Sequence, residues 1–192
     1  MAAAARMPTA AAFLSYVHFD DEHDKGYLTE LCNRLAGEVR MQSGVEFVIF
    51  QDRKAVGWGQ NWRGSINQSL DAVAFLIPIL TPSFFRSREC RKELQRFLER
   101  ERHLERDDLV FPVYYVDCPL LSNEAMRKKD SLANVIASRQ YADWRALRFK
   151  PFTSPPARRT LAHLATQIRD AIPKAPHGKV APFPVAPPGT RR

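Results

Sequence analysis

The stretch "AVAFLIPILTP" at residues 72–82 is the clearest indication of the fold, because its first nine residues are apolar without interruption. Such a run is too short to span a bilayer, and it is typical of a buried β-strand. A strand that is apolar on both faces belongs to a parallel sheet that is covered on both sides. We therefore expect helices to pack above and below this segment.

Other apolar runs flank this strand, and segments with helical spacing of apolar residues separate them. The alternation of strand and helix predicts a doubly wound α/β fold with a parallel sheet. Two intervening segments, 18–24 and 52–60, are predicted as loops, and 117–140 as irregular structure with short helices. The other predicted strands are "AAFLSYV" (11–17), "VEFVIFQ" (45–51), "LVFPVYYV" (109–116) and a short one within "YADWRAL" (141–147); the predicted helices are 27–39, 61–70, 157–172 and a stripe that begins at Cys90.

The two ends of the chain differ from this pattern. Residues 1–10 are rich in alanine but lack the long apolar segment of a secretory signal. Residues 173–192 hold six of the 14 prolines. We expect both ends to be disordered, residues 11–172 to form one domain, and the protein to be cytoplasmic without a membrane segment.

Charge and cysteine content exclude several classes of protein. Residues 1–139 contain 19 basic and 19 acidic side chains, so the net charge of +8 comes entirely from residues 140–192. A basic end is usually a solvated tail, and we do not expect nucleic-acid binding. The cysteines, Cys32, Cys90 and Cys118, lack the spacing of a disulfide framework or a zinc site and are predicted to be buried.

Common catalytic signatures are missing from the sequence. There is no GxGxxG, no GxxxxGK[ST], no GxSxG and no HExxH. A Rossmann oxidoreductase, a P-loop enzyme and a metal hydrolase therefore all lack their signatures, and no metal site is predicted.

Three stretches, taken in order, match one family. "FLSYVHFDDE" (13–22) resembles the first box of Toll/interleukin-1 receptor (TIR) domains. The segment 50–85 is similar to the TIR region from the BB loop through the third strand. "SFFRSRECRKEL" (83–94) then resembles the TIR pattern that ends in Glu-Leu. The resemblance covers residues 11–172, implies a flavodoxin-like five-stranded parallel sheet, and is closest to bacterial stand-alone or effector TIR proteins.

The resemblance implies an activity and a catalytic residue. Many TIR domains cleave the nicotinamide–ribose bond of NAD+, and Glu93 matches their catalytic glutamate. Because the leaving group is already a cationic pyridinium, one carboxylate that stabilises an oxocarbenium-like transition state suffices. NAD+ is then the substrate, no cofactor is required, and the product is ADP-ribose or a cyclic isomer. Without the resemblance, Glu93 reads as a solvated helix charge.

Further residues are candidates for substrate binding, each with a structural alternative. Ser15 either bonds the substrate or ends the first strand, and Asp20 either shapes the loop or caps a helix. Trp58 either stacks on a base or contacts another TIR domain, and Trp62 either binds substrate or packs in the core. Many active TIR enzymes carry an aromatic residue four positions before the glutamate, where this chain has Glu89. Phe84 or Trp58 is the candidate to replace that ring.

Two functions remain open at this point. In the first, the chain is an NAD+ nucleosidase of bacterial anti-phage defence, activated by self-association. In the second, it is a non-catalytic adaptor that pairs with another TIR-containing protein. The loop 52–60 and the charged segment 86–108 are the candidate assembly surfaces.

Overall fold

The structure is a computed structural model that describes residues 10–51 and 73–174. Five strands and eight α-helices form within these ranges, and 3₁₀ turns follow at Leu147–Phe149 and Ile172–Lys174. The strands are β1 Ala10–Ser15, β2 Phe47–Gln51, β3 Phe75–Leu80, β4 Val113–Tyr114 and β5 Ala142–Asp143. The helices are α1 His18–His23, α2 Tyr27–Ser43, α3 Pro82–Arg86, α4 Arg88–Leu104, α5 Pro119–Ser122, α6 Glu124–Arg127, α7 Ser131–Ala137 and α8 Pro155–Ala171.

All strand pairs are parallel, and the order in the sheet is β2-β1-β3-β4-β5. This order confirms the predicted flavodoxin-like fold. Every residue of β3 is buried, as the unbroken apolar run predicts. Ala12 of β1 lies opposite Ile49 of β2 on one side and Phe75 of β3 on the other. Strand β3 is therefore the central strand, with β1 beside it.

The fourth strand is shorter than the predicted run 109–116. Only Val113 and Tyr114 belong to it, and Val110 makes an isolated bridge to Leu76. Pro112 lies between them and has no N–H to donate to a ladder, which interrupts the strand. The fifth strand falls within the predicted segment, and short helices occupy 119–137 as expected.

The acidic segment after β1 is a helix rather than the predicted loop. The chain turns through Lys25 and Gly26, both with positive φ (56° and 82°), before α2 begins. The Asp21 carboxylate accepts hydrogen bonds from the backbone N–H groups of Leu28 and Thr29, at 2.8 and 3.1 Å. Asp21 thus satisfies two backbone N–H groups in the first turn of the second helix, although the N-cap residue itself is Gly26.

The apolar faces of the helices cover the sheet and form one core. Helix α2 buries Leu28, Leu31, Leu35 and Val39, the predicted stripe, and α8 buries Leu161, Leu164 and Ile168. The three cysteines are free and buried, as predicted. Burial raises the pKa of the Cys32 thiol to about 12, so this group stays protonated at neutral pH. In the described part of the chain, no helix combines the length and the apolar character that crossing a bilayer requires.

Candidate functional site

The sheet reverses its winding between β1 and β3, and polar side chains gather where these two strands end. In a doubly wound sheet a crevice opens at this switch point, outside the carboxyl ends of the strands. Strand β1 ends at Ser15, and Thr81 directly follows β3. Among the described residues, four polar or charged side chains are buried, and three of them lie here; the four are Ser15, Thr81, Glu93 and Glu101.

Glu93 and Ser15 contact each other at this crevice. The Ser15 hydroxyl donates a hydrogen bond of 2.6 Å to Oε2 of Glu93, across 78 positions of sequence. A length of 2.5–2.7 Å is typical of a hydroxyl bonded to an ionised carboxylate. Ser15 is 1% exposed and Glu93 6% exposed. The contact fixes the orientation of the Glu93 carboxylate at the carboxyl end of β1.

Helix α4 carries Glu93 to this position. The Ser87 side chain caps the helix by accepting from the backbone N–H of Cys90, and the Thr81 side chain caps α3 in the same way. Cys90 and Leu94, three positions before and one after Glu93, are buried and press the first turns of α4 against the sheet. The Cys90 thiol lies 3.6 Å from the carbonyl oxygen of Tyr16. The helix therefore places Glu93 against the end of β1. The side chain is buried there and is not the solvated helix charge that the sequence alone suggests.

Asp20 lies on α1 and is tied to the end of β3. The Thr81 hydroxyl donates to Oδ2 of Asp20 at 2.7 Å and also accepts from the backbone N–H of Phe84. This arrangement links α1, β3 and α3 around one hydroxyl. The carboxylate of Asp20 thus links α1 to the carboxyl end of β3.

The other sequence predictions have different outcomes. Phe84 is fully buried and packs edge-on against Phe85, so this ring is part of the core and cannot stack on a nucleotide; that prediction is wrong. Glu89 is exposed on the first turn of α4, one helical turn from Glu93. Trp58 and Trp62, with the loop 52–60 and the helix 61–70, lie outside the described residues.

Helix α1 carries an aromatic surface that was not predicted from the sequence. The rings of Phe19 and His23 stack with centroids 5.8 Å apart, and Phe19 is 65% exposed. Tyr16 packs edge-on against His18, with centroids 5.4 Å apart. The signal was present in the sequence, because residues 19 and 23 are four apart and share a face once the segment is helical.

The polar groups gathered at the switch point suit the chemistry of a single carboxylate. No group of three or more His, Cys, Asp or Glu side chains that could hold a metal ion occurs within the ranges 10–51 and 73–174. A single oriented carboxylate at a switch-point crevice can stabilise a developing positive charge. It can also accept hydrogen bonds from the hydroxyl groups of a sugar.

Comparison with known proteins agrees with this fold. The family model for the TIR domain matches residues 13–155, most of the chain, and the chain therefore belongs to the TIR domain family. No curated protein sequence matches it.

Two of the similar solved structures are TIR domains. One is that of the activated Roq1 resistosome, which directly recognises the pathogen effector XopQ, with 21% identity, a TM-score of 0.45, and coverage of 82% of this chain and 84% of that one. Another is the TIR domain of the Toll-related receptor TRR-2 from Hydra magnipapillata, with 17% identity, a TM-score of 0.46, and coverage of 78% and 96%.

Proposed function

We propose that this TIR domain is an NAD+ nucleosidase and that Glu93 is its catalytic residue. The bond between the nicotinamide nitrogen and the ribose anomeric carbon breaks, and neutral nicotinamide leaves with the electron pair. Water attacks the anomeric carbon, giving ADP-ribose and one proton. If a nucleophilic atom of the same nucleotide attacks instead, the product is a cyclic isomer.

The observation that carries the proposal is the buried Glu93 carboxylate, oriented by Ser15 at the switch point of the sheet. A carboxylate placed here faces the crevice in which doubly wound sheets bind ligands. Preorganised negative charge stabilises the oxocarbenium-like ribose more strongly than water does, because the site is shielded from solvent. The pyridinium leaving group needs no acid, so one carboxylate accounts for the chemistry.

Ser15 acts as a positioning residue in this proposal. Its hydroxyl has one proton, and that proton is committed to Oε2 of Glu93. The two oxygens of a carboxylate accept several hydrogen bonds together, so Glu93 can receive ribose hydroxyls while Ser15 stays bonded to Oε2. In this proposal Ser15 orients the residue that bonds the substrate and does not itself bond the substrate.

Other parts of the crevice bind the rest of the nucleotide. Asp20 and Thr81 hold α1 against the end of β3 and so set the width of the crevice. Because Phe84 is buried, the aromatic ring for base stacking comes from Trp58, and Trp62 remains a candidate for substrate contact. Self-association completes the site, with the 52–60 segment of a second copy as the contributing part. The biological setting in this proposal is bacterial anti-phage defence, in the cytoplasm.

The test is NAD+ consumption by the purified full chain, at high concentration and again with forced oligomerisation, beside Glu93→Gln. Chromatography of the products separates nicotinamide, ADP-ribose and cyclic isomers. We expect nicotinamide release by the unaltered chain only, and the second product identifies the attacking atom. Absence of nicotinamide even after forced oligomerisation would overturn the catalytic role of Glu93.

A second candidate is a non-catalytic adaptor that acts through contacts between TIR domains. Two observations favour it: Glu89 stands exposed where active relatives have an aromatic ring, and Phe84, one of its two candidate replacements, is buried. An adaptor would lose partner binding when the 52–60 loop is changed and would keep it in Glu93→Gln. The two functions are therefore separated by measuring partner binding and NAD+ consumption on the same pair of variants.

A further inference from the structure

A groove follows the outer edge of the sheet, along β5, and Glu93 does not line it. Two adjoining clefts, of about 670 and 550 Å³, share Gln140, Tyr141, Ala142 and Gln167. One wall is the edge strand β5 and the residues before it, and the other wall is α8, from Arg159 to Ala171. We call this feature the edge groove.

The edge groove has an apolar floor and an acidic end. Tyr141 and Val135 are 44% and 38% exposed there, although both are large and apolar. Asp107, Asp108 and Asp170 line the end that lies beside Ala171. Asp108 pairs with Arg106 and Asp170 with Arg169, whereas among the described residues no cation pairs with the exposed Asp107. The groove thus offers an apolar surface next to the Asp107 carboxylate, whose backbone carbonyl accepts from the Arg139 guanidinium at 3.4 Å.

The described chain ends beside this groove. Helix α8 forms one wall, and the 3₁₀ turn Ile172–Lys174 continues directly from it. The following 18 residues, 175–192, contain Lys179, Arg191 and Arg192 and no acidic residue. They also contain "PFPVAPP" at 182–188, a composition that favours the extended polyproline II helix. Such segments bind aromatic-lined grooves with little loss of conformational entropy.

The lengths of the groove wall and of the tail are compatible with a contact inside one chain. The wall of α8 from Arg159 to Ala171 is about 18 Å long at 1.5 Å per residue. Residues 182–188 in a polyproline helix span about 22 Å at 3.1 Å per residue. The seven residues 175–181 include Gly178, which permits the reversal of direction that the contact requires.

We propose that residues 182–188 of the chain's own C-terminal tail lie in the edge groove, with Phe183 against Tyr141 and Lys179 paired with Asp107. The tail then covers β5, an open sheet edge that would otherwise present unpaired backbone groups to other chains. This contact does not involve the Glu93 site and stands or falls separately from the proposed enzymatic activity. Its effect is to limit association of the chain through this edge.

The test uses the full chain with the photo-reactive amino acid benzoylphenylalanine in place of Phe183. After irradiation at low concentration, peptide mapping identifies the crosslinked residues. We expect crosslinks within one chain to residues of the edge groove. Tyr141→Ala should lower their yield about tenfold because it removes the aromatic anchor. Asp107→Lys should lower it roughly fivefold, and adding Lys179→Glu should restore it.

Controls make the result decisive. Met41→Ala alters an exposed apolar residue on another face and should leave the yield unchanged. Asp107 is exposed, and Tyr141 is 44% exposed but packs edge-on against Tyr114. Circular dichroism of each variant therefore accompanies the crosslinking, and only variants that keep the unaltered spectrum are compared. Crosslinks to other faces, or a yield indifferent to both groove substitutions, would overturn the proposal. Crosslinks between isotopically labelled and unlabelled chains would assign the groove to a second copy and also overturn it.

Discussion

Helix α4 carries two buried glutamates: Glu93 lies near the carboxyl ends of the strands, and Glu101 lies near their amino ends. Glu101, 2% exposed, accepts two hydrogen bonds from the Arg139 guanidinium, at 3.0 and 2.6 Å, and one from the backbone N–H of Leu109 at 2.9 Å. Glu93, 6% exposed, accepts from the hydroxyl of Ser15. Both side chains lie on the buried stripe of the same helix.

The difference between the two lies in what their partners connect. The partners of Glu101 tie α4 to the segment before β4 and to the segment after α7, at the amino ends of the strands. Ser15, which donates to Glu93, ends β1 at the switch point, where doubly wound sheets bind ligands. Burial of a carboxylate is therefore a poor indicator of function by itself. Two features distinguish a structural carboxylate from a candidate catalytic one: the end of the strands at which it lies, and the identity of the group that donates to it.

Neutralising each glutamate in turn and measuring nicotinamide release per folded molecule tests whether the two carboxylates have different roles. Glu93→Gln keeps an oxygen that can accept from Ser15 but removes the charge. We expect it to lower kcat on the order of 10³-fold, the scale of a preorganised electrostatic contribution. Glu101→Gln is the matched control, with kcat within a few-fold of the unaltered chain. Equal losses in both variants would show that the comparison is wrong.

The reverse pattern is expected for stability. Glu101→Ala removes the partner of Arg139 and leaves the buried N–H of Leu109 without an acceptor, so we expect the free energy of unfolding to fall by about 3 kcal/mol. Arg139 is partly exposed and can recover some hydration, which limits the loss. Chemical denaturation followed by circular dichroism measures it. The double variant Glu101→Leu with Arg139→Met should be closer to the unaltered chain than Glu101→Ala, because it removes both charges.

Much of the fold follows from the sequence, whereas the site follows only in part. The unbroken apolar run of β3 predicts a central parallel strand because local composition reflects burial on both faces. The contact between Ser15 and Glu93 joins residues 78 positions apart, and no local pattern encodes it. The position of Glu93 came from family resemblance. Periodicity places Glu101 four residues after the buried Phe97, but it does not indicate which glutamate of a charged helix has a buried partner.

The errors of the sequence analysis have local causes. The acidic segment 18–24 resembled a loop because its charges hide the spacing of a one-and-a-half-turn helix. Phe84 resembled an exposed ring next to the catalytic motif, but α3 turns it into the core beside Phe85. Direction of a side chain on a short helix depends on where the cap begins, here at Thr81, and that boundary is poorly defined by composition.

A smaller effect is expected when the donor to Glu93 is removed. Ser15→Ala deletes the hydroxyl without adding volume, and the carboxylate loses the contact that fixes its orientation. We expect kcat to fall about tenfold with KM nearly unchanged, because misplacement of a catalytic group affects the chemical step most. Steady-state kinetics with NAD+ gives the two parameters separately. A rise in KM with kcat unchanged would instead return Ser15 to the role of a substrate ligand.

The smallest effect concerns Thr81, which holds the crevice from the β3 side. Thr81→Val keeps the volume but removes the hydroxyl that caps α3 and donates to Asp20, so the free energy of unfolding should fall by about 1 kcal/mol. Thr81→Ser keeps both hydrogen bonds and is the matched control. If α1 also sets the width of the crevice, Thr81→Val raises KM for NAD+ a few-fold, whereas Thr81→Ser does not. A loss of stability without any change in KM would restrict Thr81 and Asp20 to a structural role, like that of Glu101. Glu93 and Ser15 would then be the functional pair at the carboxyl ends of β1 and β3.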